Sequence, residues 1–69
     1  MSEEIIDRIE ELNNYVENLR TIVKAVNKDI EEGTLIPNKH QQALIDHTAS
    51  QGRKALADIE KLEKLKNSL

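Results

Sequence analysis

Between residues 5 and 30, apolar side chains recur at Ile5, Ile9, Leu12, Val16, Leu19, Val23, Val26 and Ile30, at successive intervals of 4, 3, 4, 3, 4, 3 and 4. Intervals alternating between three and four keep side chains on one stripe of an α-helix, so this stretch predicts a helix with an unbroken a/d seam. The residues between are mostly Glu, Asp, Arg, Lys and Asn, which form its solvated side. Ser2 followed by Glu3 and Glu4 suits a helix start, with a capping hydroxyl and acids in the first turn. The predicted helix covers about residues 2 to 32. At ~1.5 Å per residue it is roughly 46 Å long, too long to be stable without a partner along its seam.

The stretch EEGTLIPNKH, residues 31 to 40, interrupts this periodicity. Gly33 can take the left-handed conformation that closes a helix, and Pro37 prevents immediate continuation. Ile36, preceding proline, is pushed toward extended geometry, and Asn38 with Gln41 three residues later forms a capping-box pattern. A second helix is expected over about residues 38 to 67. The turn, residues 33 to 37, is short enough to force the two helices into an antiparallel hairpin. It also places Leu35 and Ile36 side by side where a solvated link is expected. They can cover the last core layer near Ile30 and Leu44, or form a contact tip for a partner.

The second seam reads Ile45, Thr48, Gly52, Ala55, Ile59, Leu62, then Lys66 and Leu69, flanked by Leu44, Ala49, Leu56 and Leu65. Its middle is small. Folding about the turn sets Gly52 opposite Leu19, Thr48 opposite Val23 and Ile59 opposite Leu12, so bulky residues meet small ones. Gly52 costs roughly 1 kcal/mol of helix propensity relative to Ala, and close approach of the helices is the expected reason for it. The competing expectation is a kink at that point.

The apolar stripe is broader than one helix contact requires. Ile6, Tyr15 and Ile22 flank the first seam, and Leu44, Leu56 and Leu65 flank the second. That breadth predicts a homodimer, in which two hairpins close a four-helix bundle around the two seams. The alternative is a free face that binds a different protein. The arrangement resembles that of Rop-type plasmid regulatory proteins, which are dimers of helical hairpins. The resemblance is architectural, and no RNA-binding residue carries over.

Composition reinforces the expectation of self-association. Sixty-nine residues form at most one small domain, below the size at which a single core comfortably offsets chain entropy. No Cys is present to supply a disulfide. One third of the residues are charged and Tyr15 is the one aromatic, a profile of long helices or coiled coils. No apolar run approaches the ~18 to 20 residues of a membrane span, and the start of the chain is acidic, so a cytoplasmic protein is expected. Residues 1 to 36 carry nine acids and four bases, whereas residues 37 to 69 carry four acids and six bases. Glu3, Glu4, Asp7, Glu10 and Glu11 are therefore expected to lie alongside Arg53, Lys54, Lys61, Lys64 and Lys66, favouring the antiparallel register.

The residues offer little chemistry. His40 and His47 are seven apart, not the i and i+4 of a helical metal pair, and no further ligands accompany them. Ser50 lies three residues from His47, yet two packed helices rarely build the pocket and oxyanion site that a nucleophile needs. Gly33 and Gly52 stand alone and form no phosphate loop. The bases of the second helix alternate with Asp58, Glu60 and Glu63 and have no stacking aromatics, which argues against nucleic acid. No catalytic residue, cofactor or metal site is expected. Tyr15, Leu35 and Ile36 are the candidate partner contacts. The expected function is that of a small non-enzymatic interaction module, an adaptor, regulator or inhibitor encoded by a phage or mobile element. Two alternatives are a Rop-like regulatory dimer that binds RNA or DNA and a structural subunit of a larger coiled-coil assembly.

Overall fold

In a computed structural model, which describes residues 2 to 69, the chain forms two antiparallel α-helices, α1 over Ser2–Glu31 and α2 over Lys39–Asn67. Its longest dimension is 49 Å. With Ile9 at heptad position a and Leu12 at d, every side chain of α1 described as other than exposed lies at one of the eight seam positions. On α2 the corresponding set is Ile45, Thr48, Ala49, Gly52, Ala55, Ile59 and Leu62.

The core is concentrated in the half of the hairpin away from the turn. Leu12, Val16, Ala55 and Ile59 are buried there, with Ile9 and Leu62 packed against them. Toward the turn Leu19, Val23, Val26 and Ile30 are only half-buried. The cause is the opposing strip of α2, where Thr48, Ala49 and Gly52 offer little volume to cover them. Gly52 does face Leu19, but a β-carbon built on it would lie 3.9 Å from Leu19 Cδ1, an ordinary contact. Close approach therefore does not require glycine within the hairpin, contrary to the sequence expectation. The helix does not break there either, because α2 continues through Gly52 to Asn67.

The turn is built from backbone hydrogen bonds. Gly33 has φ +77, the left-handed region that costs glycine little. Its N–H donates to the Ile30 carbonyl at 3.1 Å and the Thr34 N–H to the Asp29 carbonyl at 2.9 Å, the two bonds of a Schellman closure. Leu35 N–H also donates to Asp29 O, at 3.2 Å. On the other side Asn38, extended at φ −79 and ψ 177, caps α2. The Gln41 N–H donates to Asn38 Oδ1 at 2.8 Å, and the Asn38 N–H donates to Gln41 Oε1 at 3.0 Å. Asn38 thus stands just outside α2, and α1 ends at Glu31. The first helical residue described is Ser2, so the capping role expected of Ser2 falls on atoms outside the described set.

Charge does not lock the helices together. Among the described residues the ion pairs are Arg8–Glu11 at 3.1 Å, Arg20–Glu17 at 4.0 Å and Lys64–Glu60 at 3.6 Å, each within one helix. The expected pairing of acids on α1 with bases on α2 does not form contacts. Those acids occupy outer heptad positions, as do all those bases except Lys66, whereas most e and g positions beside the seam are apolar or amide-bearing, among them Ile6, Asn13, Tyr15, Ile22, Leu44, Ala49, Gln51 and Leu56, with Arg8, Arg20, Asp29, Asp58 and Glu63 the charged ones. Register rests on the seam and the turn.

Thermal unfolding followed by circular dichroism checks these assignments. Gly33→Ala lowers stability by about 1 kcal/mol through left-handed strain. Gly52→Ala raises it by up to about 1 kcal/mol, since the methyl fits and helix propensity improves. Separately, Asn38→Ala removes a capping acceptor and lowers stability by about 1 kcal/mol.

Candidate interaction surfaces

Two helices in contact leave a groove on each side of their seam, and the side chains beside the seam decide what each groove offers. On one side the small residues Ala49 and Gly52 open a groove of 270 Å³ floored by Val16, Leu19 and Val23, with Leu56 along it. Arg20, Lys24 and Arg53 rim this groove. Its floor is apolar and its rim is basic.

The other side differs in chemistry along its length. Near the turn, Ile22 and Leu44 flank a recess of 180 Å³ that reaches Val26 and Ile45, and each is 54% exposed. Further along, Tyr15 borders a wider groove of 490 Å³ shared with Arg8, His47, Gln51, Lys54 and Asp58. Ser50 lines it as well, so His47 and Ser50 share a groove in which both side chains are exposed. The hydrogen bonds around them are local: Thr48 Oγ1 donates to the Leu44 carbonyl at 2.9 Å, and Gln42 Nε2 donates to Asp46 Oδ1 at 3.1 Å. His40 lies near the start of α2 and lines neither groove.

The seam residues are not equivalent. Leu12, Val16, Ala55 and Ile59 are buried within the single hairpin, while Ile5, Ile9, Leu19, Val23, Val26, Ile30, Ile45, Thr48, Gly52 and Leu62 keep part of their surface in solvent. Tyr15 is 41% exposed at the edge of its groove. Leu35 and Ile36 part company: Leu35 is half-buried, its backbone tied to Asp29, whereas Ile36 is 88% exposed. In the hairpin itself Leu35 is the one of the two with much of its surface covered.

Sequence reading placed Ile22 and Leu44 beside the seams, as part of the broad apolar stripe that predicts a dimer, but not among the candidate partner contacts, and it did not single out Arg20, Lys24 and Arg53 as a rim. The signal for Ile22, Leu44 and Arg20 was heptad position, since e residues meet across one side of an antiparallel pair and g residues across the other, while Lys24 and Arg53 stand one position further out. Comparison of the chain with known protein families, with curated proteins and with solved structures finds no match.

The split of Leu35 from Ile36 has a measurable consequence. Leu35→Ser lowers the melting temperature, and Ile36→Ser leaves the stability of the isolated chain within about 0.5 kcal/mol of the parent, as an exposed substitution does. Differential scanning calorimetry of the two single variants checks this.

Proposed function

We propose that this chain is a non-enzymatic interaction module, which pairs with a second copy into a four-helix bundle and acts by binding another macromolecule as an adaptor, regulator or inhibitor. One observation carries the reading. Ile6, Tyr15, Ile22, Ile36, Leu44, Leu56, Leu65 and Leu69 are exposed, while the buried core consists of four residues. Among the described residues, eight large apolar side chains are exposed against four buried core residues, and Tyr15, Ile22, Leu44 and Leu56 line the grooves of the hairpin. Covering apolar area gains roughly 25 cal/mol per Å² before the loss of translational and side-chain freedom on association is subtracted.

A bundle would cover the half-buried seam residues near the turn, where α2 is thin. No described helix is long and apolar enough to cross a membrane, which agrees with action in the cytoplasm. The partner macromolecule is a protein in this reading, because apolar grooves suit another protein surface better than a phosphate backbone.

Light scattering with circular dichroism over a concentration series tests it. The expected mass is twice the 7.9 kDa of the chain, with helicity falling on dilution as the copies separate. A fully helical species of 7.9 kDa at every concentration overturns the proposal.

A further inference from the structure

The side of the hairpin that carries Tyr15 has a symmetry of its own. Along α1, Arg8, Tyr15, Ile22 and Asp29 follow one another at seven-residue spacing, all at the g position, so they form a line beside the seam. Read from either end, the line is a charge, two large apolar residues and the opposite charge. Laid antiparallel on a second copy of itself about an axis near Asn18, it sets Arg8 against Asp29, Tyr15 against Ile22, and the reverse. An isologous interface must be self-complementary in this way.

We infer that a second copy of this chain docks on this side, α1 against α1, antiparallel, with the turns at opposite ends. The inference rests on the self-association proposed above and specifies its face and direction. The centre of the patch supports it: Tyr15, Asn18, Ile22 and Ala25 are exposed and carry no formal charge. Interface centres are depleted of charge and enriched in Tyr. On the opposite side Glu17, Arg20, Lys24 and Arg53 stand around the middle and would have to be desolvated, whereas on this side the charges near the axis, Lys54 and Asp58, lie on α2 and leave the centre of the α1 line uncharged.

The same axis extends to α2. By position it sets Gln51 opposite Lys54, Asp58 opposite His47 and Leu44 opposite Lys61. The outline of this face, at most 49 by 17 Å, sets a ceiling of about 800 Å² per copy, so a standard stable interface requires the two copies to overlap along nearly their whole length.

Asp29 adds an independent argument. It lies in the last turn of α1, where the helix dipole disfavours an acid, and it takes part in none of the ion pairs among the described residues. A partner Arg8 gives that carboxylate a role. Arg8 meanwhile pairs with Glu11 at 3.1 Å in the single chain, with both side chains largely exposed and free to rearrange.

Because the chain has no Cys, single substitutions report proximity cleanly. Asn18→Cys should crosslink to itself rapidly on oxidation, and Asn13→Cys, on the opposite side, should not. Arg8→Asp and Asp29→Arg should each weaken dimerisation about tenfold, since each disrupts two equivalent contacts. The double variant should return to within about threefold of the parent. Asp29→Arg improves the local helix dipole, so weaker association in that variant is not loss of helix. Three outcomes overturn the inference while leaving self-association intact. They are a dimeric parent whose Asn18→Cys variant fails to crosslink, crosslinking through Asn13→Cys instead, or charge reversal without effect. A parent that is monomeric by light scattering overturns both proposals.

Discussion

Two helices bury only the side chains along the line where their surfaces touch, and in this hairpin that line is nearly the whole of the tertiary structure. Its packed centre is four residues, Leu12, Val16, Ala55 and Ile59. Everything else follows from where they sit. The register that puts Leu12 beside Ile59 also puts Gly52 against Leu19 and Thr48 near Val23, so the same alignment that builds a core at one end leaves the other end thin.

The turn holds that alignment from its end. A left-handed glycine and the Schellman bonds to Asp29 and Ile30 stop α1, and the reciprocal cap of Asn38 and Gln41 starts α2. Both devices use backbone groups that would otherwise lack partners, so they fix where each helix ends without contributing to the core. Charges have a smaller part than their distribution implies. The ion pairs are local, between residues three or four apart on one helix, because the positions beside the seam are mostly apolar or amide-bearing. Such exposed pairs are worth about 0 to 1 kcal/mol each.

The same division explains why the surface is richer than the core. The e and g positions flank the seam, and in a hairpin meant to stand alone they would be charged. Here Ile6, Tyr15, Ile22, Leu44, Leu56 and Leu65 occupy them and remain exposed. The two grooves they border differ. One is an apolar channel with a basic rim, and the other grades from an apolar recess near the turn to a mixed polar groove around Tyr15. The sides of the molecule are therefore chemically distinct.

The helices, their boundaries within a residue, the Gly33 stop and the Asn38 cap were legible in the sequence, because each depends on interactions within a few residues. The facing of Gly52 and Leu19 was legible too, since a short turn leaves one antiparallel alignment. What only the tertiary structure decided depends on how far side chains reach across the seam. The acids of α1 and the bases of α2 do not pair, Gly52 has room for a methyl group, and Leu35 turns inward while Ile36 points out. Periodicity fixes the direction in which a side chain leaves its own helix. Whether it meets anything depends on the separation of the two helices and the volume of the opposing residue, and those exist only once the hairpin has closed.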